Sequence, residues 1–430
     1  MPQFGGEVSG GSARTPLWGT GGSQRLAMVA VWIIATVFLL RVSPLLTDQD
    51  DYLRYYFGGW VGWQTLSGHR QDLADELRRA YDRLDDDVQR SRLRAAATTY
   101  SPLVVLRVGI AEPLRRFFGV PLVSWALVVP TIEWLVVLIV AARWATRQRL
   151  SLSPAWFIGS GIALGWLHLH TYPFLPAPRG FSVLAAGLAL AALLAGGNRL
   201  TIRALLVLGA VAHPYQQLIN LAVVGAAAMV LLPASERRAQ RRTLAGHGAV
   251  AVVALIACFA LALLFNLESS LGVTRLRGVS SMQTPFSVWL GNQWAAYRLV
   301  VILGIPLVTV AYWYQRRQAF HIGVLYAVSI IVPAFVVSGN YYAGEYLSRI
   351  GGAWQAVLLV YLLRLGSRPP PYLSRLQQSA LTLLVLMLMA AGLDNIGCAI
   401  NPTCEIRPLY EMGTFVIGPV EQEVIRLMPP

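Results

Sequence analysis

Not one lysine occurs in the 430 residues; all 35 basic side chains are arginine. Charge of either sign is scarce, at 13% of residues against 56% hydrophobic, and mean hydropathy is positive. A soluble globular domain needs roughly twice that charged fraction, so the composition argues against one and for a chain that crosses the membrane several times. The arginine-only usage suits a high-GC bacterial genome and carries no chemistry of its own. Nucleotide signatures are also missing: there is no Walker loop and no dinucleotide fingerprint after a strand. The HExxH, GxSxG and CxxCH patterns are absent as well, which leaves zinc peptidase, serine hydrolase and haem-attachment chemistry without support.

What is present is a succession of apolar runs. About eleven are long enough, or nearly so, to cross a hydrocarbon core of roughly 30 Å. They lie near 26–46, 122–142, 155–169, 181–196, 203–213, 216–233, 248–267, 299–314, 320–338, 352–366 and 376–393. The pair around "AVAHPYQQLIN" reads as broken or re-entrant helices, because Pro214 lacks a backbone donor and disfavours helix at His213. The first run is too long for a signal peptide and serves as an anchor. The expected fold is all-α and polytopic, with a tail at 1–25, a transmembrane domain over 26–393 and a short tail over 394–430.

Arginine orients these runs. Arg143, Arg147 and Arg149, Arg199 and Arg203, "SERRAQRR" at 235–242, "QRRQ" at 315–318, and Arg364, Arg368 and Arg375 all fall on one side. If that side is cytoplasmic, the net charge of +14 is the positive-inside signal and does not call for a nucleic-acid partner. The N-terminus is then inside, the C-terminus outside, and loops 47–121, 170–180, 268–298 and 339–351 face outward. In the first loop, Leu73, Leu77, Tyr81, Leu84 and Val88 recur at helical spacing. With Asp75/Arg79 and Asp86/Arg90 as i,i+4 pairs, they predict one amphipathic helix. Cys258 lies in an apolar run and reads as a small core residue, whereas Cys398 and Cys404 lie in the outer tail, where a short disulfide loop is plausible.

The outward loops collect the unusual polar residues. Asp48, Asp50 and Asp51 follow the first run in "TDQDD"; His168, His170 and Arg179 fall in one loop, and His213 precedes Pro214. Glu268, Arg275 and Arg277 lie in another loop, with Glu345 and Arg349 in the last. Plain structural roles exist for many of these. Thr47 and Asp48 fit a helix cap with Asp50 and Asp51 in the first turn, and His213 fits a helix end. The histidine pair at 168 and 170 lacks a third metal ligand at familiar spacing. Glu133 stands near the middle of the second run, where an ionisable group is costly in lipid and faces a polar interior.

An inward N-terminus, an acidic motif just outside the first span, a long outer loop with an amphipathic helix and many closely joined spans together resemble the GT-C superfamily of integral-membrane glycosyltransferases. The motif that carries the resemblance is "DQDD". The resemblance implies a catalytic acid at Asp50 or Asp51, with Asp48 as a third candidate. It also implies a donor sugar carried on a polyprenyl phosphate, and a cell-envelope glycan, lipid or protein as acceptor. The site would face the periplasm or exterior of a bacterial inner membrane. Such chemistry needs a carboxylate base and cationic stabilisation of the leaving phosphate, for which His170, Arg179, His213, Arg275, Arg277 and Arg349 are candidates with Glu345 beside them. It requires no cofactor, and nothing in the sequence calls for a divalent cation. The competing expectation is a transporter or flippase of lipid-linked envelope precursors. A transporter should show two related halves, and no repeat is visible between the halves of this chain.

Overall fold

A computed structural model describes residues 50–99, 101–119, 178–194, 196–232, 234–265, 304–314, 316–337, 349–358, 360–361 and 419–428. These are 90% helical and include no strand, so the described part of the fold is all-α. The expectations that concern Asp48, Glu133, His168, His170, Glu268, Arg275, Arg277, Glu345, Cys398 and Cys404 lie outside the described residues, as do the apolar runs at 26–46, 122–142, 155–169 and 376–393.

Two assemblies of helices meet. The first, named the outer-loop unit after the orientation expected from the sequence, comprises α1 (Asp50–Leu66), α2 (Arg70–Asp82), α3 (Asp87–Ala96) and α4 (Pro102–Phe118), joined by the distant α12 (Pro419–Leu427). Phe57, Val61, Leu77, Leu84, Leu93 and Val108 form its core, and Val420, Val424 and Met428 of the C-terminal segment enter the same cluster. A segment from each end of the chain therefore shares one apolar core, which fixes both on the same side of any membrane. Arg83 closes the contact with a bidentate pair to Glu423, Nε to Oε1 at 3.1 Å and Nη2 to Oε2 at 2.7 Å.

The single amphipathic helix expected over 73–88 is two helices. Asp86 accepts a hydrogen bond from the Gln89 backbone N–H at 2.6 Å and so starts a second helix at Asp87. The expected i,i+4 pairs are replaced by i,i+3 pairs, Arg78 with Asp75 at 3.3 Å and Arg90 with Asp87 at 3.2 Å. Leu73, Leu77 and Leu84 are nevertheless all buried, so the apolar face was correctly identified. Helix α4 has firm ends. Ser101 accepts from the Val104 N–H and Pro102 sits in the first turn; Gly119 closes the helix at φ +65, a left-handed conformation that suits glycine.

The second assembly comprises α5 (Pro178–Leu194), α6 (Arg199–Ala212), α7 (Pro214–Leu231), α8 (Ala234–Phe265), α9 (Gly304–Tyr314), α10 (Arg316–Val337) and α11 (349–358). Each overlaps an apolar run of the sequence, although α8 begins well before its run at 248–267 and takes in the arginine-rich 235–242 expected as a loop. Helices α5, α7, α9, α10 and α11 share a core in which Ala186, Ala227, Ala311, Ala353 and Ala356 let backbones approach, while Tyr326 and Trp354 meet edge to face at 5.3 Å. Cys258 is buried as expected, against Ala210 and Leu255.

Among the described residues two helices are long and apolar enough to cross a membrane, Pro214–Leu231 and the 24-residue stretch Arg241–Leu264. At about 1.5 Å per residue the second spans roughly 36 Å. The outer surface of α10 is also apolar: Phe320, Val324, Val328 and Ile331 are exposed on the face opposite the buried Ile322, Tyr326 and Ile330. A helix apolar on both faces suits an apolar surrounding rather than water.

Candidate functional site

The site is built around the break between α6 and α7. Pro214 cannot donate to the carbonyls behind it, so α6 ends at Ala212, and His213 in an extended conformation (φ −158, ψ 94) starts α7 with its Nδ1 accepting the Gln216 N–H at 3.2 Å. One of the carbonyls orphaned at the end of α6, that of Ala212, accepts the hydroxyl of Ser101 from the start of α4. The positive N-terminus of α4 thus meets the negative C-terminus of α6, and the outer-loop unit is seated on the bundle beside His213. Arg107, nearly two turns further along α4 and buried, lies over the Phe181 ring at 5.4 Å.

Below the break lies a buried polar network. Gln216, Gln217, Asn220 and Ser182 are each fully buried, and Arg179 and His213 nearly so. Gln216 is the hub: its Oε1 accepts from Arg179 Nε at 3.1 Å, and its Nε2 donates to Asn220 Oδ1 at 2.9 Å and to the Arg349 carbonyl at 2.8 Å. Asn220 Nδ2 donates to the Ser182 hydroxyl at 3.1 Å, which in turn donates to Gln217 Oε1 at 3.2 Å. Gln217 Nε2 reaches the Leu206 carbonyl at 3.2 Å, and it can do so because position 209 is glycine; a Cβ there would overlap the Gln217 side chain. The guanidinium of Arg349 lies 5.7 Å from the centre of the Tyr215 ring, which itself packs edge to face on Phe259 of α8.

Of the residues nominated from sequence, Arg179, His213 and Arg349 are brought together from α5, the α6–α7 break and α11. Both arginines are close enough for their charges to act on His213. Asp50 and Asp51 form the first turn of α1, whose remaining length packs on α4 and α8. Gln216, Gln217, Asn220 and Ser182 were missed. The signal for three of them was the polar spacing in "HPYQQLIN", where positions i, i+1 and i+4 share a helix face inside an apolar run.

The Gln216 amide fixes the Arg179 guanidinium and the Arg349 backbone, so two arginines and an imidazole lie around one buried hub, an arrangement with the charge to hold an anion. Among the described residues no group of three or more His, Cys, Asp or Glu side chains could hold a metal ion. A second feature is a cleft of about 510 Å³ in the outer-loop unit, lined by Trp60, Gln64, Glu76, Arg79, Glu112 and Arg115, with Arg426 at its rim. Its walls are ordered by ion pairs of Glu112 with Arg115 and Arg116, each at 3.0 Å. No family model, no curated protein and no solved structure matches the chain.

Proposed function

We propose that the chain is a membrane glycosyltransferase that moves a sugar from a polyprenyl-phosphate donor to an acceptor hydroxyl on the outer side of a bacterial inner membrane. The reading takes all eleven apolar runs as spans, with the N-terminus inside and the C-terminus outside. The observation that carries it is the convergence of Arg179, His213 and Arg349 on the buried hub Gln216, beside the point where the outer-loop unit docks. A lipid-linked donor needs its phosphate held at the end of a helical bundle, within reach of a chain that stays in the bilayer.

The reaction is a single displacement. The acceptor oxygen attacks the anomeric carbon, its proton passes to a carboxylate of Asp50 or Asp51, and the bond from carbon to phosphate oxygen breaks. The electron pair leaves with the polyprenyl phosphate, whose charge the two guanidiniums offset, and the anomeric configuration inverts. The cleft beneath Trp60 is the acceptor surface in this reading, because an aromatic ring flanked by paired acids and arginines suits a sugar's apolar face and hydroxyl edge. The test is to incubate the purified protein with a panel of polyprenyl-phosphate sugars and an envelope-glycan acceptor. Release of free polyprenyl phosphate from at least one donor is expected; release from none would refute the activity.

A further inference from the structure

The opposite end of α6 and α8 carries a second cationic arrangement that sugar transfer does not use. On α8, His247, Ala251, Leu255 and Cys258 recur at helical spacing and form the stripe that packs on α6, Ala251 against Ile202 and Leu206, and Leu255 and Cys258 against Ala210. His247 continues that stripe toward the arginine-rich end. It is 4% exposed, and neither ring nitrogen has a hydrogen-bond partner. Arg203 and Arg199 of α6 are its charged neighbours. The guanidinium of Arg203 lies across α8 at Gly246, where an added Cβ would sit 3.3 Å from Nη2. Its Nε is buried without a partner. Arg241 and Arg242 stand exposed about one to two turns before His247, and no carboxylate among the described residues pairs with any of these arginines.

A buried imidazole and a buried guanidinium nitrogen left without acceptors, between the second turn of α6 and the middle of α8, call for an anion. The surface above selects the kind of anion. Leu208 on α6, and Val252, Val253 and Ile256 on α8, are all exposed and lie further along the same two helices, and exposed Leu200 stands beside Arg199. An apolar strip leading away from a cationic pocket matches a molecule with an anionic head and hydrocarbon tails.

We infer that the groove between the start of α6 and Gly246–Gly248 of α8 binds the phosphate of an anionic phospholipid, through Arg199, Arg203 and His247. This rests on the membrane placement proposed above and not on sugar transfer, so it is tested without donor or acceptor.

Native mass spectrometry of the full chain in detergent, offered equal phosphatidylglycerol and phosphatidylcholine of matched acyl chains, reads the preference directly. The wild type should retain phosphatidylglycerol at least about tenfold over phosphatidylcholine. The double variant R199Q/R203Q should bring that ratio near one, and His247→Gln should lower it. Arg203→Lys, which keeps the charge, should keep most of the preference. R78Q/R90Q removes the same charge from the outer-loop unit and should leave the ratio unchanged. Equal retention of the two lipids by the wild type would overturn the assignment, as would an equal loss in R78Q/R90Q. Displacement of phosphatidylglycerol by millimolar inorganic phosphate would also overturn it, because the site would then belong to a soluble anion.

Discussion

The Gln216 side-chain amide donates to the Arg349 carbonyl at 2.8 Å, joining residues 133 apart in sequence at the point where α11 begins. The same side chain accepts from Arg179, so one amide sets the relative position of two arginines on two helices. Replacing Gln216 by Leu keeps the volume and strands Arg179 Nε, Asn220 Oδ1 and the Arg349 carbonyl. Each stranded buried group costs roughly 1–3 kcal/mol. The expected outcome is a clear fall in melting temperature in detergent, larger than that of Leu218→Ala on the exposed side of the same helix. Equal melting for the two variants would mean that Gln216 is not the hub.

The docking of α12 rests on buried Val420 and Val424 and on the pair between Arg83 and Glu423. Val424→Asp should release the helix and make the segment after Gly418 a site of rapid proteolysis. Reversing the pair as R83E/E423R should protect better than either single reversal. Cleavage at the wild-type rate in Val424→Asp would show that α12 does not dock. Because α12 and α2 touch, reagents confined to one side of the membrane should reach both or neither.

Glu112 predicts a pH dependence. Burial alone would raise its carboxyl, but hydrogen bonds and charge from Arg115 and Arg116 outweigh that and hold it below the ordinary carboxylate value. A carboxylate depressed in the folded state adds stability above its unfolded value of about 4.3, and that contribution is lost as pH falls through the lower folded value. The melting-temperature gap between wild type and Glu112→Gln should therefore hold steady from about pH 8 to pH 5 and close below about pH 4. A gap unchanged at low pH would mean that the two arginines do not stabilise the ionised form.

Much of this was legible in the chain. Pro214 predicted the break at His213, and the apolar runs between 181 and 366 overlap α5 through α11, because both signals are local. Arg179, His213 and Arg349 were readable as unusual polar residues at the ends of apolar runs, and the structure brings the three together. What joins them was not. Gln216 and Ser182 have no signature apart from their partners, and Arg349 arrives by packing between distant helices. The break between α2 and α3 was hidden because Leu73, Leu77 and Leu84 keep their apolar phase across it. Helix α12 was read only as tail, although Val420 and Val424 at i,i+4 were its signal.

The acids that open α1 predict a division of labour. Asp50 and Asp51 are adjacent in the first turn of α1, and successive positions on an α-helix are about 100° apart, so the proposed reaction would use one of them as base. Asp50→Asn and Asp51→Asn should both fold, and one should lose at least about 100-fold in sugar-transfer turnover. Full turnover in both would reduce these acids to the helix start.

The central claim is that the arginines meeting at Gln216 hold the phosphate of a lipid-linked sugar. The most direct measurement is the rate of polyprenyl-phosphate release by wild type, Arg179→Gln and Arg349→Gln, each first shown to melt as a folded protein. Loss of a preorganised charge-stabilising donor costs about 2–4 kcal/mol in the transition state, so at least one variant should fall by about 100-fold or more while its fold persists. An active wild type with both variants at its full rate would contradict the account.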